Sequence, residues 1–225
     1  MLLRLFCLLL LVGCGTERAV NINIDDPAPD DLSERFAVLA FRNELGEEIP
    51  LTRFEAPVRV YAQGPRYGVS DTVADLAAAT GHDIRQVWSG DEANIIVTVA
   101  PWPVIRRELD TLPNSGIFAD PGSRFTCAAL PYHSGQSEIF LSLVFIDADL
   151  GEAHIRRCMI QEVAQSLGLP NDIDDPDGTI FSSYSLRHSL SASDYAMLET
   201  LYDERLRPGM TRREAMPVVR DILSR

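Results

Sequence analysis

The chain has 225 residues, 46% of them hydrophobic, with 33 acidic against 20 basic side chains and a formal charge of −13. That is enough for one ordinary domain plus a tail, and charge of this sign sets nucleic acid and anionic membrane faces aside as partners, since both would repel it. Every basic residue is Arg, which with the abundant Ala points to a GC-rich bacterial coding bias rather than to a site.

The N-terminus carries Arg4 and then an apolar run over 5–12, too short to span a bilayer but right for the core of a secretory signal. It ends in Leu11-Val12-Gly13-Cys14, which resembles the bacterial lipobox, where the Cys becomes the lipidated first residue after cleavage. The expectation is a signal peptide over 1–13, a lipid anchor on Cys14 and a place in the envelope of a Gram-negative bacterium. Gly15 rather than Asp after the Cys favours the outer membrane, with the domain in the periplasm. A plain secretory signal with Cys14 near its cleavage point is the competing reading. Residues 14–32, rich in Asp and Pro and without apolar periodicity, read as a flexible tether, and 33–225 as one domain.

From Ser33, the residues Phe36, Leu39 and Ala40 recur at helical spacing to near Asn43. Residues 58–62 alternate as a strand. Ser70 or Asp71 caps a helix that runs through Ala79 to a stop at Gly81. Two more strands follow at 84–88 and 94–99, the second a continuous apolar run suited to the middle of a sheet. The Pro- and Gly-rich stretch 101–125 reads mainly as connection around a helical turn at 106–109. Strands at 125–130 and 138–146 pair around a loop, and Gly151 or Glu152 opens a helix. A further helix starts near Ser193, and the last follows a Thr211-x-x-Glu214 capping box.

The helix after Gly151 is the informative one. Gln161, Glu162, Gln165, Gly168 and Asn171 stand at the spacing of His-Glu-x-x-His-x-x-Gly-x-x-His, the zinc-protease helix. In that motif two imidazoles four apart hold the ion, the Glu acts as base on metal-bound water, the Gly turns the chain and the third His completes the site. Here all three His positions carry a carboxamide while the Glu and the Gly remain. A carboxamide keeps its hydrogen bonds and reach but is a far poorer zinc ligand than imidazole. Without a metal to bring the pKa of water from ~15.7 towards ~7, Glu162 has no activated nucleophile to deprotonate. The bland alternative is an ordinary amphipathic helix built on Met159, Ile160, Val163, Leu167 and Leu169 and closed by a Gly.

With Cys7 and Cys14 in the signal region, Cys127 and Cys158 remain, and in an exported chain they predict one disulfide. It would close a loop of about 30 residues, stabilise by roughly 3 kcal/mol and clamp the helix to an upstream strand; two buried free thiols are the alternative. The acidic run 171–178 invites a calcium loop and fails it. With Gly178 in sixth place, Ile173 falls first and Tyr184 twelfth, where an Asp and a Glu are needed, so the run reads as a solvated turn.

Strand, helix, strands, edge hairpin, metal-type helix, Gly turn, loop and closing helix form an order similar to the metzincin-like zincin layout. The run from Leu190 to Tyr202 resembles the helix that follows the Met turn of those enzymes, although Ile180-Phe181-Ser182 stands where the Met would be. More narrowly, the chain resembles the DUF2927 family of bacterial lipoproteins and secreted proteins from Ser33 to its C-terminus. The resemblance lies in Val58-Arg59-Val60, the stretch 158–171, Ile180-Phe181 and Leu201-Tyr202-Asp203-x-Arg205-Leu206-Arg207-Pro208-Gly209-Met210. It implies an α+β, zincin-like fold in which a mixed twisted sheet packs against a central Gln-Glu-x-x-Gln helix and C-terminal helices, and it supplies no function.

Substitute metal ligands are not evident. Among His82, His133, His154 and His188, only His154 shares a face with Gln161, and two helical turns put it about 10 Å away, while a metal site rebuilt by His133 and His188, which lie in predicted loops, is the alternative. The expectation is no metal, no cofactor, and a degenerate, non-catalytic domain that binds or scaffolds a protein or peptide of the cell envelope. Two readings compete with it. One is a metal-independent, peptidase-like hydrolase using Glu162 as base or nucleophile beside Gln161 or Gln165. The other is a spacer, whose sign would be a groove beside Gln161 and Gln165 packed with side chains.

Overall fold

The structure is a computed structural model and describes residues 26–112, 124–135 and 137–224; the expected signal, Cys14 and the expected tether up to residue 25 lie outside the described residues. Its elements run β1 (Asp26–Pro27), α1 (Leu32–Phe41), β2 (Val58–Gln63), α2 (Val69–Thr80), β3 (Ile84–Gln86), β4 (Ile95–Ala100), α3 (Trp102–Leu109), β5 (Cys127–His133), β6 (Ile139–Asp147), α4 (Glu152–Gln165), β7 (Ile173–Asp174), α5 (Ala192–Leu201) and α6 (Arg212–Leu223).

Five strands form one sheet in the order β3-β2-β4-β6-β5, parallel throughout except for β5, which runs antiparallel to β6 at an edge. β4 takes the middle, as its unbroken Ile95-Ile96-Val97-Thr98-Val99 run requires, because β-branched side chains fit a pleated surface covered on both faces. Parallel neighbours need a crossover, which α2 supplies between β2 and β3. α2 ends where Gly81 takes a φ of 64° and returns its N–H to the Ala77 carbonyl. It starts at Val69, one residue ahead of the expected Ser70 cap, because Gly68 with a φ of 78° turns the chain into the helix. The expected hairpin is present, its ladder running from Cys127 opposite Ile146 to His133 opposite Ile139. The result is a mixed α+β fold.

Alternation along β6 divides the core. Val144 and Ile146 join the main cluster with Phe36, Leu39 and Phe41 of α1, Val60 and Val97 of the sheet, and Ile160 and Val163 of α4. Phe145 points the other way, onto Ile105 and Leu109 of α3, and Trp102 meets Phe125 edge to face at 4.9 Å. Fully burying a side chain such as Phe145 contributes about 1.5–3 kcal/mol, enough to hold α3 against its face of the sheet. α3 is longer than the turn expected at 106–109, since Pro103 sits in its first turn, where an N–H would have no partner anyway. The remaining helices cover the opposite face, with α5 and α6 opened by complete capping boxes at Ser191 and Thr211. A two-residue ladder joins β1 parallel to β7, so the chain enters the domain beside the loop that follows α4. Among the described residues no helix is long and apolar enough to cross a membrane.

Candidate functional site

α4 is buried almost throughout, between the sheet on one side and the loop that follows it on the other. From Ile155 to Gln165 only Arg156 escapes burial, so Arg157, Gln161, Glu162 and Gln165 enter the interior together with the apolar residues. Polar groups so placed need partners, since an unpaired buried one is expensive.

Gln161 and Gln165, four apart, project from one face of the helix. Their amide nitrogens meet at a single atom: Nε2 of Gln161 donates to Oδ1 of Asp172 at 3.1 Å, and Nε2 of Gln165 donates to the same oxygen at 2.7 Å. The Ser183 hydroxyl donates to Oδ2 of Asp172 at 2.8 Å. Gln161, Gln165 and Asp172 are 3%, 3% and 9% exposed, so these charge-assisted bonds are shielded from water. Asn171 is not part of the group. Its Nδ2 donates to the Val38 carbonyl at 3.2 Å and its N–H to that of Leu39, tying the loop to α1 instead.

Sequence reasoning missed Asp172. The run 171–178 reads as a solvated turn, yet Asn171, Asp172 and Ile173 are buried and the loop reaches the surface only from Asp174 onward. A signal for it does exist: two carboxamides on one buried helix face need an acceptor, and the first carboxylate after the Gly turn supplies it. Gly168 makes that turn at a φ of +126°, where an added Cβ would lie 2.0 Å from the Thr52 carbonyl oxygen. Both the backbone conformation and the close approach therefore demand Gly there.

Glu162 faces a different environment. It is 4% exposed, and among the described residues no hydrogen bond reaches its carboxyl. Burial pushes that carboxyl well above the usual carboxylate range; Glu44 and Asp172 push the same way, and Arg157 opposes them. The shift favours the protonated form over the carboxylate.

Arg157 lies one turn before Gln161. Its Nη2 donates to the Ser183 carbonyl at 2.6 Å and more weakly to that of Ser182 at 3.5 Å. Its Nη1 rests on the two sulfurs of the Cys127–Cys158 disulfide, the expected bridge, which fastens α4 to β5 with Cα atoms 5.9 Å apart. Nε of Arg157 and Oε1 of Gln161 are buried without a hydrogen-bond partner.

The histidines lie elsewhere. His82 sits against the Ala56 carbonyl and the Tyr202 ring, while His133, His154 and His188 are exposed. Among the described residues no three His, Cys, Asp or Glu side chains gather as a metal-ligand group. Surface pockets open beside Glu34 and Arg220, beside Arg207 and Met210, and on both sides of His188; none of these is lined by Gln161, Glu162 or Gln165.

No curated protein matches the chain. The model of a family described as protein of unknown function, DUF2927, matches residues 29–221, from just ahead of α1 almost to the end of α6, and the chain belongs to that family.

Proposed function

We propose that the chain is a lipid-anchored protein of the bacterial envelope, with a periplasmic domain that keeps a zincin-like frame without its catalysis and serves as a binding or scaffolding module. The observation that carries this reading is the meeting of Gln161 and Gln165 on Asp172. Where two imidazoles would converge on an ion, two amide nitrogens converge on a carboxylate oxygen. An ionised carboxylate only accepts, so both glutamines turn N–H₂ groups, not carbonyls, toward it. An amide nitrogen, its lone pair delocalised, is no ligand for zinc, and Asn171 is committed to Val38. This donor set does not fit the metal.

The edge hairpin ahead of α4, the Gly168 turn and the capped α5 that follows support the zincin-like frame. The hydrolase reading asks Glu162 to take a proton, whereas burial favours the form that already has one. The face of α4 presented by Gln161 and Gln165 is filled by the 171–183 segment, which is the sign given for the spacer reading and counts against a ligand held in that groove, so a binding or scaffolding surface would have to lie elsewhere on the domain. The test is metal analysis of protein purified from zinc-replete cells. The expected zinc content is far below one per chain, and one tightly held ion per chain refutes the proposal. The anchor is tested separately by Cys14→Ser, which should move the protein from the membrane fraction to the soluble one; unchanged partition refutes it.

A further inference from the structure

Among the described residues no carboxylate forms an ion pair with the buried Arg157 guanidinium. Its side chain is 7% exposed, and its hydrogen bonds go to two carbonyl oxygens and two sulfurs. Nε has no partner at all. Nη1 lies 3.8 Å from Cys127 Sγ and 3.7 Å from Cys158 Sγ. Neutral sulfur accepts hydrogen bonds weakly, so the desolvation of the guanidinium is poorly offset. Glu162, on the next turn, makes no hydrogen bond to the guanidinium among the described residues.

Reduction of the disulfide changes that. A thiolate on either sulfur would place a full negative charge within reach of Arg157, and a cation beside a cysteine both favours its thiolate and stabilises the reduced pair. We propose that the Cys127–Cys158 bond is an exchangeable redox site, open to reduction by a dithiol because Arg157 stands beside it as the counter-ion of the thiolate product.

The burial pattern gives the direction of attack, since Cys127 is half-buried and Cys158 is 0% exposed. A thiolate of the incoming dithiol, its proton given to solvent, attacks Cys127 Sγ. The Cys127–Cys158 bond breaks, and its electron pair leaves on Cys158 as a thiolate against Arg157. The second thiol of the reductant then displaces Cys127, which takes that thiol's proton. Two electrons pass to the protein, and the dithiol becomes its own disulfide. The clasp between α4 and β5 opens, and the buried cation acquires a partner.

The test uses the full chain carrying Cys7→Ser and Cys14→Ser, so that only the two cysteines concerned remain. This parent is equilibrated with graded ratios of reduced to oxidised dithiothreitol, and thiols are counted by alkylation and mass spectrometry. Arg157→Met should need about a tenfold more reducing ratio for half-reduction, a shift of about 30 mV. Arg157→Lys, which keeps the cation, should stay nearer the parent than Arg157→Met. Equal midpoints for the parent and Arg157→Met, or an Arg157→Lys midpoint matching that of Arg157→Met, overturn the proposal. If circular dichroism shows Arg157→Met unfolded, the parent decides. Reduced at neutral pH, it should show the ultraviolet absorbance of about one thiolate per chain, and its absence overturns the proposal.

Discussion

Replacing Gly168 by Ala probes the turn that brings Asp172 back to α4. The residue has a φ of +126°, and an added Cβ would stand 2.0 Å from the Thr52 carbonyl oxygen, 2.9 Å from its carbon and 3.3 Å from the Arg53 Cα. All three atoms are backbone, so no side chain can swing aside. Positive φ costs a residue with a Cβ roughly 1–2 kcal/mol, and forcing atoms into a filled space adds about 1–3 kcal/mol. The sum, about 2–5 kcal/mol, is a large share of the 5–15 kcal/mol typical of a whole domain. Gly81→Ala is the control, because Gly81 has a φ of 64° but nothing within 4 Å of the added atom, so only the conformational penalty applies. Urea unfolding followed by circular dichroism reads both variants. With a slope of about 2 kcal/mol/M, Gly168→Ala should lower the midpoint by about 1–2.5 M and Gly81→Ala by about 0.5–1 M. A Gly168→Ala midpoint no lower than that of Gly81→Ala would refute the contact argument.

Three further outcomes follow from the same structure. Asp172→Ala strands two amide N–H₂ groups in the interior, while the half-buried Ser183 hydroxyl can turn to water, for a loss of about 2–4 kcal/mol at 1–2 kcal/mol per unmet buried donor. Asp172→Asn keeps one acceptor oxygen and should lose clearly less; equal losses in urea titrations would be inconsistent with the network. Glu162 has its folded pKa raised above 4.5, so its contribution to stability is complete below about pH 4.5 and is lost as pH rises through the folded value. Glu162→Gln removes this loss, and its stability relative to the parent should grow from acid to neutral pH; a difference independent of pH would dispose of the assignment. Asp194, 0% exposed, accepts from the Thr179 hydroxyl at 2.5 Å and from the Ser191 N–H at 2.8 Å. Asp194→Ala should therefore lower thermal stability by about 2–4 kcal/mol, and a loss under about 1 kcal/mol would show that these bonds contribute little.

What was legible in the sequence was whatever depends on near neighbours. The β-branched run of β4, the capping pair Thr211 and Glu214, the stop at Gly81 and the extent of α1 follow from local periodicity and end chemistry, and the structure has them close to where they were expected. The Cys127–Cys158 bridge was legible by a different route, as the pair left over once Cys7 and Cys14 are assigned to the expected signal. Local patterns did not disclose contacts made by folding. Arg53 stands in no pattern of its neighbours, yet its guanidinium is buried and bonds the carbonyls of Leu201 and Asp203, about 150 residues on. Asp172 escaped for the same reason: hydropathy assigns a run of aspartates to solvent, and only the demand of two distant glutamines draws the first of them inside. The two-residue pairing of β1 with β7 is too short to leave any pattern.

The ends of the domain meet. Glu34, in the first turn of α1, holds Arg212 and Arg220 of α6 at 2.8 and 3.2 Å, and Asp31 and Leu32 share a surface pocket with Leu223 and Ser224. The start of α1 and the end of α6 therefore lie side by side. A fluorescent reporter appended beyond α6 would be attached beside the start of α1, and a short linker across this gap would give a circularly permuted chain with the same interior.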